Sequence, residues 1–62
     1  MNEIIIRVEE IAIKSAKALR QKDYATSKSY KDEFLNLKRS YSWMDLQTVW
    51  DNAFSRIYNN RV

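Results

Sequence analysis

Projected at about 100° per residue, residues 3–21 divide into two sides. Ile4, Ile5, Val8, Ile11, Ala12, Ala16, Ala18 and Leu19 gather on one, and Glu3, Arg7, Glu10, Lys14, Lys17 and Gln21 on the other. Glu3→Arg7 and Glu10→Lys14 stand in the i, i+4 order that supports a helix. The competing reading is a strand through EIIIRVE, where Ile4, Ile6 and Val8 alternate with Ile5 and Arg7. A lone strand would need a second chain to pair with, so the pattern favours helix. Ile6 and Ile13, seven residues apart, fall on the polar side near Glu9, Lys17 and Arg20. They read either as a widened apolar face or as a narrow second seam for another subunit, a homodimer included.

At KDYATS the apolar phase changes. Asp23 has the chemistry of an N-cap, and a helix over 24–39 should follow. Tyr30, Phe34, Leu37 and Tyr41, spaced 4, 3 and 4, form its apolar stripe. Lys28, Lys31, Lys38 and Arg39 lie opposite, with Tyr24 and Leu35 among them. Ser40-Tyr41-Ser42 breaks the pattern, and Ser42 with Asp45 three residues later resembles a capping box. A third helix over 43–59 is therefore expected. Leu46, Val49, Trp50, Ala53, Phe54 and Ile57 share a broad face, with Asp45, Thr48, Asn52, Ser55 and Asn59 opposite. An arc that wide can touch two neighbours, so helix three should close the groove left by the first two. The fold class this implies is all-α, a small antiparallel three-helix bundle in one domain over residues 1–62.

Composition sharpens that picture. The chain has no glycine and no proline, so its turns must come from caps rather than from the usual breakers. It has no cysteine and no histidine, which leaves no disulfide, no thiolate and neither of the commonest zinc and general-base groups. Asp32 and Glu33 are neighbours on a helix and point about 100° apart. Phosphate-cradling and calcium-binding loops both need glycine. The expectation is a non-enzyme with no metal and no cofactor. The run Ile4–Ile6 is too short for a signal peptide or a membrane span, so the chain reads as a complete, short cytoplasmic product.

Charge is uneven. Residues 1–13 net −2, residues 14–39 net +5, and the remainder is balanced. Lys14, Lys17, Arg20, Lys28, Lys31, Lys38 and Arg39 are the candidates for contact with nucleic acid or an acidic partner. Interleaved acids, the absence of glycine in the turns and the lack of a recognition helix weigh against nucleic acid as the first reading.

The segment AKALRQKDYATSKSYKDEFLNL, residues 16–37, resembles the UVR helical hairpin of excision-repair proteins. There an acidic-aromatic turn precedes an A-A-x-x-R-D-x-I-x-x-L helix. Asp23, Tyr24, Asp32, Phe34 and Leu37 fit; Ser27, Lys28 and Lys31 depart from it. The match covers about a third of the chain and is nearly as close to tetratricopeptide helix turns. What it implies is a hairpin surface that docks protein.

Trp43, Trp50, Phe54 and Tyr58, spaced 7, 4 and 4, give the third helix an aromatic flank. Burying one such ring contributes about 1.5–3 kcal/mol, a large share for so small a domain. Trp50 and Phe54 should therefore be core, with Trp43 and Tyr58 partly exposed at the ends. Together with Tyr24, Leu35, Ile6 and Ile13 these margins are the candidate partner-binding residues. The function expected is a protein-binding module, a small regulator or inhibitor that occupies a surface of a larger host protein. Richness in lysine, asparagine and isoleucine fits an AT-rich genome such as a bacteriophage's. The alternative is a basic DNA- or RNA-binding factor using the 14–39 hairpin.

Overall fold

A computed structural model describes residues 2–59. Three helices make up the fold: α1 (Glu3–Arg20), α2 (Tyr24–Ser40) and α3 (Leu46–Tyr58). The N-terminal isoleucines are helical, not extended. Asn2 starts α1, its side-chain oxygen accepting the Ile4 amide at 2.9 Å.

The first turn does without glycine. The Asp23 amide donates to the Ala18 carbonyl at 2.9 Å and the Lys22 amide to the Leu19 carbonyl at 3.0 Å. This is the paired bonding of a Schellman motif, and its left-handed position is taken by Lys22 at φ 60°. Asp23 then caps α2 by accepting the Thr26 amide at 3.3 Å. One residue closes one helix and opens the next, which is how a chain lacking glycine and proline reverses direction here.

Helix α3 begins later than the Ser42–Asp45 reading placed it. Asp45 is itself the N-cap: one oxygen accepts the Thr48 amide at 3.2 Å and the other the Thr48 hydroxyl at 2.8 Å. Thr48 supplies two donors to a single carboxylate, a better match than Ser42 with a short Asp. Those bonds hold the Asp45 carboxyl below its usual range. Trp43 consequently lies in the connection before α3, and the aromatic flank of the helix starts at Trp50.

The order of packing also differs from the expected one. Helix α1, not α3, is the element with two neighbours: α2 and α3 both pack along it, while their own backbones scarcely meet. Val8, Ile11, Ala12, Phe34, Leu46, Trp50 and Ala53 form the buried core, with Ile4, Ile13, Tyr30, Leu37, Tyr41, Met44, Val49 and Phe54 against it. The span between α2 and α3 is crossed by side chains. Phe34 stacks on Trp50 with ring centroids 4.4 Å apart. Lys38 reaches Gln47 at 2.8 Å, and Gln47 donates on to Asp51 at 2.8 Å. Phe54, expected in the core, is only half-buried, because it stands where α2 and α3 have parted.

Of the two readings of Ile13, the structure agrees with the widened apolar face. The edge of α1 that carries Glu9 and Arg20 faces α3. Glu9 meets Arg56 at 3.6 Å, and the Arg20 guanidinium donates to the Ile57 carbonyl at 3.0 Å. Ile13, between Glu9 and Arg20 on that line, packs against the core and is no free seam. Ile6 is partly buried. Across α1, Arg7 bonds Glu33 of α2 at 2.6 Å. Each flank of α1 is thus edged by a charged pair to a different neighbour.

Candidate docking cleft

Where α2 and α3 part, α1 supplies the floor of an open-sided cleft of about 820 Å³. Ser15 and Leu19 lie at its base, Phe34 and Leu35 on the α2 side, Trp50 and Phe54 on the α3 side. A smaller hollow of about 440 Å³ at the same end includes Leu19, Arg20, Lys22, Tyr24 and Tyr58. Leu19 and Tyr24 line both, so the two hollows adjoin.

The local sequence explains the shape. Along this part of α1 the buried side chains are Ala12, Ser15, Ala16 and Ala18. Such small residues let flanking helices settle close onto α1, yet they leave nothing large to fill the space between them. Ser15 ties α2 to that floor. The residue is 1% exposed, and its hydroxyl donates to the Ser27 carbonyl at 3.1 Å and lies 2.9 Å from the Ser27 hydroxyl. No buried side-chain polar atom among the described residues lacks a partner. The α3 wall is a ladder of rings: Trp50 on Phe54 at 5.8 Å, and Phe54 to Tyr58 at 5.5 Å. It runs from the core at Phe34 outward to the rim.

Three of the sequence-predicted partner residues lie along the cleft and its mouth. Tyr24 is 63% exposed, Tyr58 46% and Leu35 45%, all on the cleft or its mouth. Trp43, 76% exposed, is not with them. It sits at the opposite end of the molecule against the edge of Tyr41, 5.5 Å away. Ile6 and Ile13 belong to α1 and line none of these hollows.

The seven basic candidates do not share one surface. Lys14 lies 6.0 Å from the Tyr30 ring, and Lys38 5.4 Å from the Phe34 ring. Lys17 and Arg20 line a shallow depression beside Ile57 of α3. Lys28, 3.9 Å from Asp32, and Lys31 line the cleft, while Arg39 is exposed on the last turn of α2. Lys22, absent from the sequence-based candidates, joins Arg20 at the mouth. The Ser15 contact was also missed. Its signal is a lone polar residue at i+4 from Ile11 and i−4 from Leu19, inside an otherwise apolar arc.

Among the described residues no group of three or more acidic side chains could hold a metal ion. No helix of the described chain is long and apolar enough to cross a membrane. The fold and cleft define a class, a small all-α three-helix protein with an aromatic-walled groove. Compared with known protein families, curated proteins and solved structures, the chain matches none.

Proposed function

We propose that this protein is a non-enzymatic binding module, and that the α2–α3 cleft is the surface with which it engages a larger protein. The observation that carries the reading is that exposed Tyr24, Leu35 and Tyr58 lie along a groove and its adjoining mouth, floored by Leu19 and walled by Trp50 and Phe54. Interface hot spots take this form: aromatic anchors around a concavity, with polar groups at the edge. A module that acts by occupancy regulates or inhibits by covering a surface, and needs no reactive group of its own. The lysine-, asparagine- and isoleucine-rich composition extends the proposal to a phage-encoded inhibitor working in the host cytoplasm.

The nucleic-acid reading has less support. Phosphate tracking needs clustered, uncompensated cations, and here Arg20 donates to the Ile57 carbonyl, Lys28 lies beside Asp32 and Lys38 reaches Gln47, with Asp32 and Asp51 set among the lysines of the cleft.

The test is site-directed photocrosslinking. A photoreactive residue at Leu35, in cells of the native host, should give a discrete adduct with one protein, and the same residue at Asn52 should not. Equal labelling from both positions, or none from Leu35, removes the cleft as the docking surface.

A further inference from the structure

The reading of the cleft as a docking surface can be taken one step further, to the shape and charge of what docks; this step rests on that reading. Helix α1 carries a helix on each flank, and the corner facing it between α2 and α3 is unfilled. From Tyr24 to Leu35 the α2 wall is about 16 Å long at 1.5 Å per residue, room for three helical turns. Its α3 wall is a row of rings one helical turn apart, Trp50, Phe54 and Tyr58, in contact along the helix axis, an apolar ridge against which another helix can lie. An extended strand has no edge to pair with here, since the described residues are helical apart from short connections.

The rim has a sign. Arg20, Lys22, Lys28 and Lys31 line the two hollows, against Asp32 and Asp51. Asp32 lies near Lys28, and Asp51 accepts from Gln47. Lys22 and Lys31 make no ion pair among the described residues. Lys22 stands at φ 60°, where glycine would be easier, and so places a cation at the mouth. A second copy of this chain would bring the same basic rim against itself, on a protein already at +3. An acidic occupant meets no such repulsion.

We infer that the cleft takes an acidic amphipathic helix of the partner, which packs opposite α1 as the fourth helix of a bundle. Its apolar stripe lies on Leu19, Leu35 and Phe54, over the buried Phe34–Trp50 stack. Its glutamates or aspartates flank that stripe and face Lys22, Lys28 and Lys31.

The probe is a displayed library of helices of about 14 residues, four turns, with a fixed a/d/e apolar stripe and every flanking position varied between Glu and Lys. Selection on the wild-type chain should enrich Glu over Lys at the flanks. Selected peptides, made synthetically, should gain helical circular dichroism on binding and quench Trp50 in a Trp43→Phe background. Reversal of the exposed pair, K28E/K31E, should weaken them about tenfold at low salt and leave the protein's own helicity unchanged. Lys enrichment, or no enrichment over the reversed variant, overturns the inference. So does a wild-type chain that sediments as a dimer and becomes monomeric on Leu35→Asp, because the occupant is then a second copy. If the library fails while the Leu35 photocrosslink to a host protein persists, the docking surface stands and the acidic helix falls; loss of both removes both.

Discussion

The two ends of this bundle are packed by different rules. At the end holding the start of α1, the close of α2 and the start of α3, the largest fully buried side chains are Val8, Ile11, Phe34 and Leu46. The Tyr41–Asp45 connection turns tightly there, Met44 donating its amide to the Tyr41 carbonyl at 3.0 Å, and Tyr41 and Met44 pack onto the core. At the other end α1 buries alanines and one serine, and the Phe54 and Tyr58 rings of α3 are only partly covered. Bulky side chains fill the first end. At the second, small ones bring each flanking helix close to α1 and thereby leave the cleft. A chain this short gains its stability from the filled end and exposes apolar area at the other, which is where a docking surface costs least.

That contrast can be broken most directly at its centre. Phe34→Ala removes the ring that joins α2 to Trp50 and should cost about 3–5 kcal/mol, enough to abolish cooperative thermal unfolding in a domain this small. The matching change at the open end, Phe54→Ala, should cost about 1–2 kcal/mol, because that ring is only partly buried to begin with. Chemical denaturation of the two variants side by side decides the matter: equal losses would mean the ends are equally packed. Ser15→Ala deletes the buried tie between α1 and α2 and should cost about 1 kcal/mol in the same assay, since Ser27 keeps access to water. Lys22→Gly should raise stability by about 0.5–1 kcal/mol by relieving the left-handed residue, and should weaken any acidic ligand at the mouth.

The smallest effect is confined to acid. Asp45 has a carboxyl pKa lowered by its hydrogen bonds to the Thr48 hydroxyl and amide. A group depressed in the folded state contributes stability above its unfolded pKa and loses it as pH falls through the folded value. Stability of the wild type should therefore decline as pH drops below the ordinary carboxylate range. Asp45→Asn, which keeps a cap but cannot titrate, should flatten that limb of the profile measured by circular dichroism.

Much of this was legible in one dimension. The 3.6-residue period placed all three helices, and Asp23 marked the start of α2 because a carboxylate before a helical stretch has few other uses. Tyr24 and Leu35 stood out as large apolar groups on the lysine side of α2 and Tyr58 at the end of α3, and the cleft and its mouth lie along all three. Trp43 shows the limit. Spacings of 7, 4 and 4 fit one helix face, yet Thr48 offers Asp45 two donors, and the helix begins beyond Trp43. Ile13 shows another. A helix wheel has no knowledge of a second neighbour, so a position facing α3 looked like surface.

By itself, then, the sequence determined that the chain is helical, where two of its three helices start, how its charge is distributed, and which large side chains stand at the margins. Local rules suffice for these, because periodicity and caps act over a few residues. Which helix lies between the others, that α2 and α3 part, and that the cations are distributed over several faces were decided only in three dimensions. Those outcomes depend on how side chains of different bulk fill a shared volume. Ala12, Ser15, Ala16 and Ala18 are unremarkable letters until two helices are laid against them and a third space is left open.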